Sequence, residues 1–192
     1  MPRPSQEDKM LDAALACFAE HGYDGTRVRH IAERAGVSEG ALYRHYASKE
    51  ALAQALYAHH FGQFSATLQQ AAMAEQTAEA QVRALLRTII ACYRENPVAV
   101  TFVLLRQPSF MPGLPPDAVY PLDLIAQVVA AGQRAGAIRD GQPNLLAAIV
   151  MGCVLRPIIV SQLAQPGALD LLATDEHDQV MSDAGWAALA RP

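Results

Sequence analysis

The sequence predicts an all-α protein of about nine helices, and three observations predict it. Apolar residues recur at three- and four-residue spacing through nearly every segment, and no stretch alternates with the period of two that marks a half-buried strand. Helix-starting Ser, Thr and Pro and helix-stopping Gly stand at the ends of those periodic runs. With 192 residues, 52% of them hydrophobic and 18% charged, the chain is long enough for a small domain joined to a larger one and too apolar to be disordered. There is no internal repeat and no low-complexity tract.

The first helix begins at a capping box in which Ser5 is followed three residues later by Asp8. Leu11, Ala14, Leu15 and Phe18 form its apolar stripe, and Gly22 marks its end. The stretch from Thr26 to Lys49 reads as two short helices joined by a tight turn. Thr26 is placed to cap the first, and Val28, Ile31, Ala32 and Ala35 share its inner face. Gly36 supplies the left-handed residue that ends it, Val37 tucks under the turn, and Ser38 caps the second helix. In that second helix Leu42 and Tyr46 face inward and leave Glu39, Gly40, Tyr43 and Arg44 facing out. Ser48 then starts a third helix with Lys49 and Glu50 in its first turn, an arrangement that attracts phosphate. Helix, Gly-containing turn and helix with a polar outer face make a helix-turn-helix, whose second helix lies in the major groove of DNA.

Charge separates this head from the rest. The chain carries −4 overall, which by itself disfavours nucleic acid. Between Thr26 and Lys49, however, Arg27, Arg29, Arg34, Arg44 and Lys49 outnumber Glu33 and Glu39, for a local +3. From Ala51 onward eight arginines, no lysine and eleven acids give −3, a poor surface for DNA. The expected boundary therefore falls at 50, with a DNA-binding domain over 1–50 and a helical ligand-binding and dimerisation domain over 51–192.

The residues Gly25-Thr26, Ile31-Ala32, Ala35-Gly36-Val37-Ser38, Gly40, Leu42-Tyr43, His45-Tyr46 and Ser48-Lys49-Glu50-Ala51-Leu52 resemble the DNA-binding signature of the TetR (tetracycline-repressor) family of bacterial transcription regulators. The resemblance covers about the first quarter of the chain; the later helices are similar to the family only in number, length and placement. It implies a homodimeric regulator, a repressor by preference, that binds a palindromic double-stranded DNA operator and is released by a small apolar or amphipathic effector. It places Thr26, Tyr43, His45 and Lys49 among phosphate contacts and Arg29, Glu39, Gly40 and Arg44 near base edges, with Arg27 and Ser38 in the same DNA-facing set. Arg29 and Arg44 suit bidentate pairing with guanine, and equally a phosphate.

After the head, a proline-free helix running from Ser48 towards Ala74 would reach ~39 Å and can carry movement between the two domains. A helix over Thr77–Asn96 follows, and Pro97 opens the next. Regular structure lapses over Gln107–Pro116, QPSFMPGLPP, which reads as a connector or as a lid carrying Phe110 and Met111. Helices are then expected over Asp117–Ala135, Pro143–Gln165 and Thr174–Leu189. Tyr93, Phe102, Phe110, Met111 and Tyr120 are pocket candidates, with plain core as the alternative, and Arg156 either anchors an anion or pairs with Asp123. The penultimate helix is apolar nearly all round. Leu146, Ile149, Val150, Val154, Ile158 and Leu163, with Gly152 for close approach and Trp186 from the last helix, are therefore expected at a two-fold dimer interface.

Enzyme chemistry finds little footing. The sequence has no Gly-rich phosphate loop after a strand, no G-x-S-x-G, no H-E-x-x-H and no cysteine with a histidine partner. No cofactor or metal is called for, since His59-His60 and His177 lack ligand spacing and Cys17, Cys92 and Cys153 sit singly in apolar runs as buried thiols. A constitutive DNA-binding protein without ligand remains the other alternative, and the large apolar C-terminal part argues against it. The N-terminus has no apolar leader, and the run Leu145–Leu155 is shorter than the ~18 residues of a membrane span. A cytoplasmic protein without membrane contact is expected.

Overall fold

The computed structural model describes residues 5–105, 118–163 and 170–191. Among them are nine helices: α1 Gln6–Gly25, α2 Val28–Ala35, α3 Glu39–His45, α4 Lys49–Met73, α5 Ala78–Glu95, α6 Pro97–Leu105, α7 Pro121–Arg134, α8 Pro143–Leu163 and α9 Asp175–Ala187. The one β-type contact among the described residues is an isolated bridge between Ile138 and Ala190. The chain forms two compact units, one of Met1–Gln63 with Asn96–Pro116 and the other of Phe64–Glu95 with Asp117–Pro192. The residues of α4 fall in both.

Local chemistry accounts for the helix ends. Ser5 and Asp8 form the reciprocal capping box, with Ser5 N–H donating to Asp8 Oδ2 at 2.9 Å and Asp8 N–H to Ser5 Oγ at 3.0 Å. Regular α1 geometry breaks at Gly22, where φ is +69° and ψ is 170°, and one further helical turn ends at Gly25. Thr77 and Asn96 cap α5 and α6 by accepting from the N–H groups of Ala80 and Ala99. Asp117, the expected start of α7, lies outside the described residues; the helix itself begins at Pro121. Pro121 forces Tyr120 into extended backbone (ψ 143°) and then occupies the first helical position, where no N–H is needed.

In the first unit Met10, Ala14 and Phe18 of α1, Ile31 of α2, Leu42 of α3 and Leu52 and Leu56 of α4 are buried. Tyr57 stacks on Phe61 (5.7 Å), meets Phe102 edge-on (5.9 Å) and donates its hydroxyl to Val103 O (3.4 Å). In the second unit α5, α7, α8 and α9 bury Leu85, Ile89, Ile125, Val129, Val150 and Val154 among others. Arg94 of α5 donates to both oxygens of Asp178 at 2.7 Å and to the carbonyls of Leu172 and Thr174, clamping α9 and the residues before it. Gly185 lets α9 approach α5 so closely that a Cβ there would strike Leu86.

α8 is one continuous helix of 21 residues that runs through Pro157, so its mean hydropathy of 1.9 meets a membrane span by length and composition. Leu146, Ala147, Val150, Met151, Val154 and Ile158 nevertheless form core, whereas Leu145 and Ile149 are 57% and 45% exposed. Of the three cysteines only Cys17 is buried; Cys92 and Cys153 are half-buried because each lies at the edge of its helix's inner face.

His60 lies within the first unit with its Nε2 buried and unpartnered, and its ring meets His59 edge-on at 5.2 Å. Burial, helped by His59 and opposed by Asp12, holds its pKa below the usual imidazole value. The folded state therefore favours neutral imidazole: the stability is fully present above about pH 6.5 and is lost as pH falls below it. Urea unfolding at about pH 7.5 and about pH 5.5 should show a loss at the lower pH that His60→Leu reduces. An unchanged pH dependence in the variant would show that His60 does not carry it.

Candidate nucleic-acid interface

The head is built around a turn that the backbone completes by itself. Gly36 adopts φ +69°, ψ 33°, its N–H donates to Glu33 O (3.1 Å), and Val37 N–H returns to Ala32 O (3.0 Å). Ser38 Oγ then accepts from Ala41 N–H at 3.1 Å and starts α3. Ala41 and Leu42 are buried, so α3 is anchored along one side. Glu39, Gly40, Arg44 and His45 are exposed and Tyr43 is 48% exposed, which leaves the outer side of α3 open to a partner. Tyr46 closes the helix from below, donating its hydroxyl to Glu7 Oε1 at 3.2 Å; burial and the nearby carboxylate push its pKa up to about 12.

Arg27, Arg29 and Arg44 are exposed and have no ion-pair partner among the described residues. Arg34, counted with them from sequence, is paired with Glu20 at 2.7 Å, which lowers the Glu20 pKa and contributes no free cation to the face. His30 Nδ1 accepts from Arg27 N–H (3.4 Å), so Arg27, not Thr26, stands at the start of α2.

Two residues of the DNA-facing set are turned to other work. Thr26 is 1% exposed, and its hydroxyl donates inward, shared between Gly22 O (2.7 Å) and Cys17 O (2.9 Å) around the break of α1 at Gly22. Lys49 Nζ donates to Tyr23 O (2.8 Å) and Thr26 O (3.1 Å) and sits 4.2 Å from the centre of the Tyr23 ring. Thr26 neither caps α2 nor presents its hydroxyl to phosphate, and the Lys49 ammonium is taken up by the same junction.

The expected pocket residues are divided between the two units and the residues outside the described ones. Tyr93 is core and accepts from Gln162 Nε2 (2.8 Å), and Phe102 packs on Tyr57 in the other unit, because aromatic spacing along a helix does not say which neighbour it meets. Tyr120 stands at the start of α7, while Asp123 and Arg156 are exposed and form no ion pair with each other. Phe110 and Met111 lie outside the described residues. The second unit holds an open pocket of about 360 Å³ between the end of α4, the start of α5 and α7. Gln69, Gln81 and Gln127 line it, on walls that include Leu124 and Val128. These glutamines carried no sequence signal, since polar residues on amphipathic helices read as solvated faces.

Of the expected interface residues, Leu146, Val150, Val154 and Ile158 are core of their own unit, at 2%, 0%, 0% and 0% exposure, because α5, α7 and α9 already cover that side of α8. Ile149, Gly152 and Leu163 are exposed, Trp186 is half-buried, and Val180 of α9 is 61% exposed. A Cβ on Gly152 would meet nothing within 4 Å.

An αL-glycine turn between two capped helices, the second bare on its outer face, defines the class: a helix-turn-helix protein. Residues 10–56 match the model of the bacterial regulatory proteins of the tetR family. The repressor AcnR of Corynebacterium diphtheriae is 34% identical over 110 residues, 55% of this chain and 53% of that protein, so the match spans about half the length of this relative. Nearly the whole fold is similar to a TetR-family regulator from Marinobacter aquaeolei VT8 (TM-score 0.75, 21% identity, 97% of this chain and 96% of that one). It is similar as well to FadR of Bacillus subtilis in complex with stearoyl-CoA (TM-score 0.74, 21% identity, 92% and 97%). Residues 10–56 thus match the DNA-binding region of the tetR family, and the chain shares the fold of that family's solved regulators.

If Thr26 acts from inside, Thr26→Val, which keeps the shape and removes the hydroxyl's inward hydrogen bonding, should cost about 0.5–1.5 kcal/mol of stability in urea unfolding. A DNA contact at this position would instead lower affinity and leave the unfolding midpoint unchanged.

Proposed function

We propose that the protein is a transcriptional repressor of the cytoplasm that binds a palindromic operator as a homodimer and releases it when a small molecule occupies the second unit. The observation that carries this reading is the outer side of α3, where Glu39, Gly40, Tyr43, Arg44 and His45 face water from a helix held by the buried Ala41 and Leu42. That side presents groups fit for base edges and phosphates, with Arg27 and Arg29 beside them on α2 and at its start. Residues 1–50 would read DNA, and 51–192 would bind the effector and the second subunit. AcnR of Corynebacterium diphtheriae, one relative, is itself named a transcriptional repressor.

Dimerisation rests on the open stripe of Leu145, Ile149 and Gly152 on α8 with Val180 on α9. Water-exposed apolar residues gathered on two adjacent helices are stabilised by a second copy, and two-fold pairing sets two α3 helices to read inverted half-sites. Gly152 has open space around its Cβ position, so a large residue there spares the protomer and strikes only a partner.

Selection of bound sequences from a random DNA pool tests the reading: enrichment of an inverted repeat is expected, and no enrichment overturns it. On the selected site Arg44→Ala should lose about 1–3 kcal/mol of binding and relax base choice at one position per half-site. An equal loss on every sequence would make Arg44 a phosphate contact. Gly152→Arg should sediment as a folded monomer with weak, non-specific DNA binding; a variant that stays dimeric moves the interface elsewhere.

A further inference from the structure

Glu39 is the first residue of α3, directly after the Ser38 cap, and its side chain is exposed. It forms no ion pair or side-chain hydrogen bond among the described residues, although Arg27, Arg29 and Arg44 stand free on the same head. Gly40, next to it, is not held in a left-handed conformation, and a Cβ there would meet only Ser38 Oγ, at 4.0 Å. Neither the backbone nor packing within the chain calls for a glycine at that place. The missing side chain lets whatever lies outside α3 come closer to Glu39. An ionised carboxylate accepts hydrogen bonds and has none to give. In the major groove it meets phosphates, guanine N7 and O6, adenine N7 and thymine O4, all of which repel a further acceptor. The exceptions are the amino groups, N4 of cytosine and N6 of adenine. Cytosine is the better of the two, because adenine sets its N7 acceptor beside the amino group.

We propose that Glu39 selects cytosine at one position of each operator half-site and excludes guanine and thymine there. The proposal rests on the reading that the bare side of α3 enters the major groove, since only then do base edges come within reach of this side chain. A carboxylate carried into the groove is unfavourable on every sequence that offers it no donor, so the group that rewards cytosine also weakens binding elsewhere. Glu39 thus raises discrimination from both sides, by attraction at the operator and by repulsion on bulk DNA. The arginines cannot do this, because a cation gains from any phosphate.

Sequence selection with the full chain, run in parallel on the unaltered protein, Glu39→Gln and Glu39→Ala, tests the proposal. Neither exchange removes a side-chain hydrogen bond or ion pair among the described residues, so both variants fold. The unaltered protein should enrich cytosine at one position of each half-site, and guanine or thymine placed there should weaken binding about tenfold. Glu39→Gln, whose amide matches the N6 and N7 pair of adenine, should move the preference from cytosine to adenine at that position and no other. Glu39→Ala should leave that position without preference. On a scrambled duplex at low salt both variants should bind about threefold more tightly than the unaltered protein, a gain that shrinks as salt rises. An inverted repeat with the same base preferences in all three proteins overturns the proposal and leaves the operator reading standing. A uniform loss of affinity in Glu39→Ala, with no change at any base position, does the same. If the unaltered protein enriches no inverted repeat, the operator reading falls and this proposal falls with it.

Discussion

The junction where α1 gives out and α4 begins carries the head. A glycine with positive φ at 22 breaks the regular course of α1. The Thr26 hydroxyl answers Cys17 and Gly22, and the Lys49 ammonium answers Tyr23 and Thr26. One short polar residue and one long cation thus bind the end of α1, the entry to α2 and the first turn of α4 into a single knot. The entry of α2 fixes where the Gly36 turn falls, and that turn fixes which side of α3 is left bare. Tyr46, bonded to Glu7, ties the far end of α3 to α1. The outward residues of α3 owe their placement to contacts none of them makes.

α8 shows the same economy in the second unit. A helix apolar nearly all round has more surface than α5, α7 and α9 can cover, and the division between covered and bare is sharp: Val150 and Val154 are fully buried, Leu145 and Ile149 largely open. Arg94, reaching from α5 to Asp178 and two carbonyls, sets where α9 lies and hence where the stripe ends. The charge read from sequence is divided as well, +3 between Thr26 and Lys49 against −3 from Ala51 onward.

What was legible in the sequence is local chemistry. Ser5 with Asp8, Gly36 and Ser38 act through neighbours three to five residues away, so spacing alone announces them. Thr26 and Lys49 were legible as important and misplaced in role, because Lys49 reaches back 23 and 26 residues and Thr26 finds a carbonyl nine residues behind it. Their matching to the signature of a DNA-binding domain does not distinguish residues that touch DNA from those that shape what does. The hollow walled by Gln69, Gln81 and Gln127 had no sequence signal, because it exists only once α4, α5 and α7 are brought together, and aromatic spacing did not say that Tyr93 and Phe102 belong to different units. For α8, periodicity named the apolar residues but not the covered side, which its neighbours decide.

The central claim is that the bare side of α3 enters the major groove, and methylation interference measures this most directly. Dimethyl sulfate modifies guanine N7 in the major groove and adenine N3 in the minor groove. On DNA carrying the selected site, guanine methylation should block binding in two clusters whose centres lie about 10 base pairs or a small multiple of that apart, with adenine methylation tolerated in those clusters. Interference confined to adenine N3, or a single unrepeated cluster of guanines, would contradict the account.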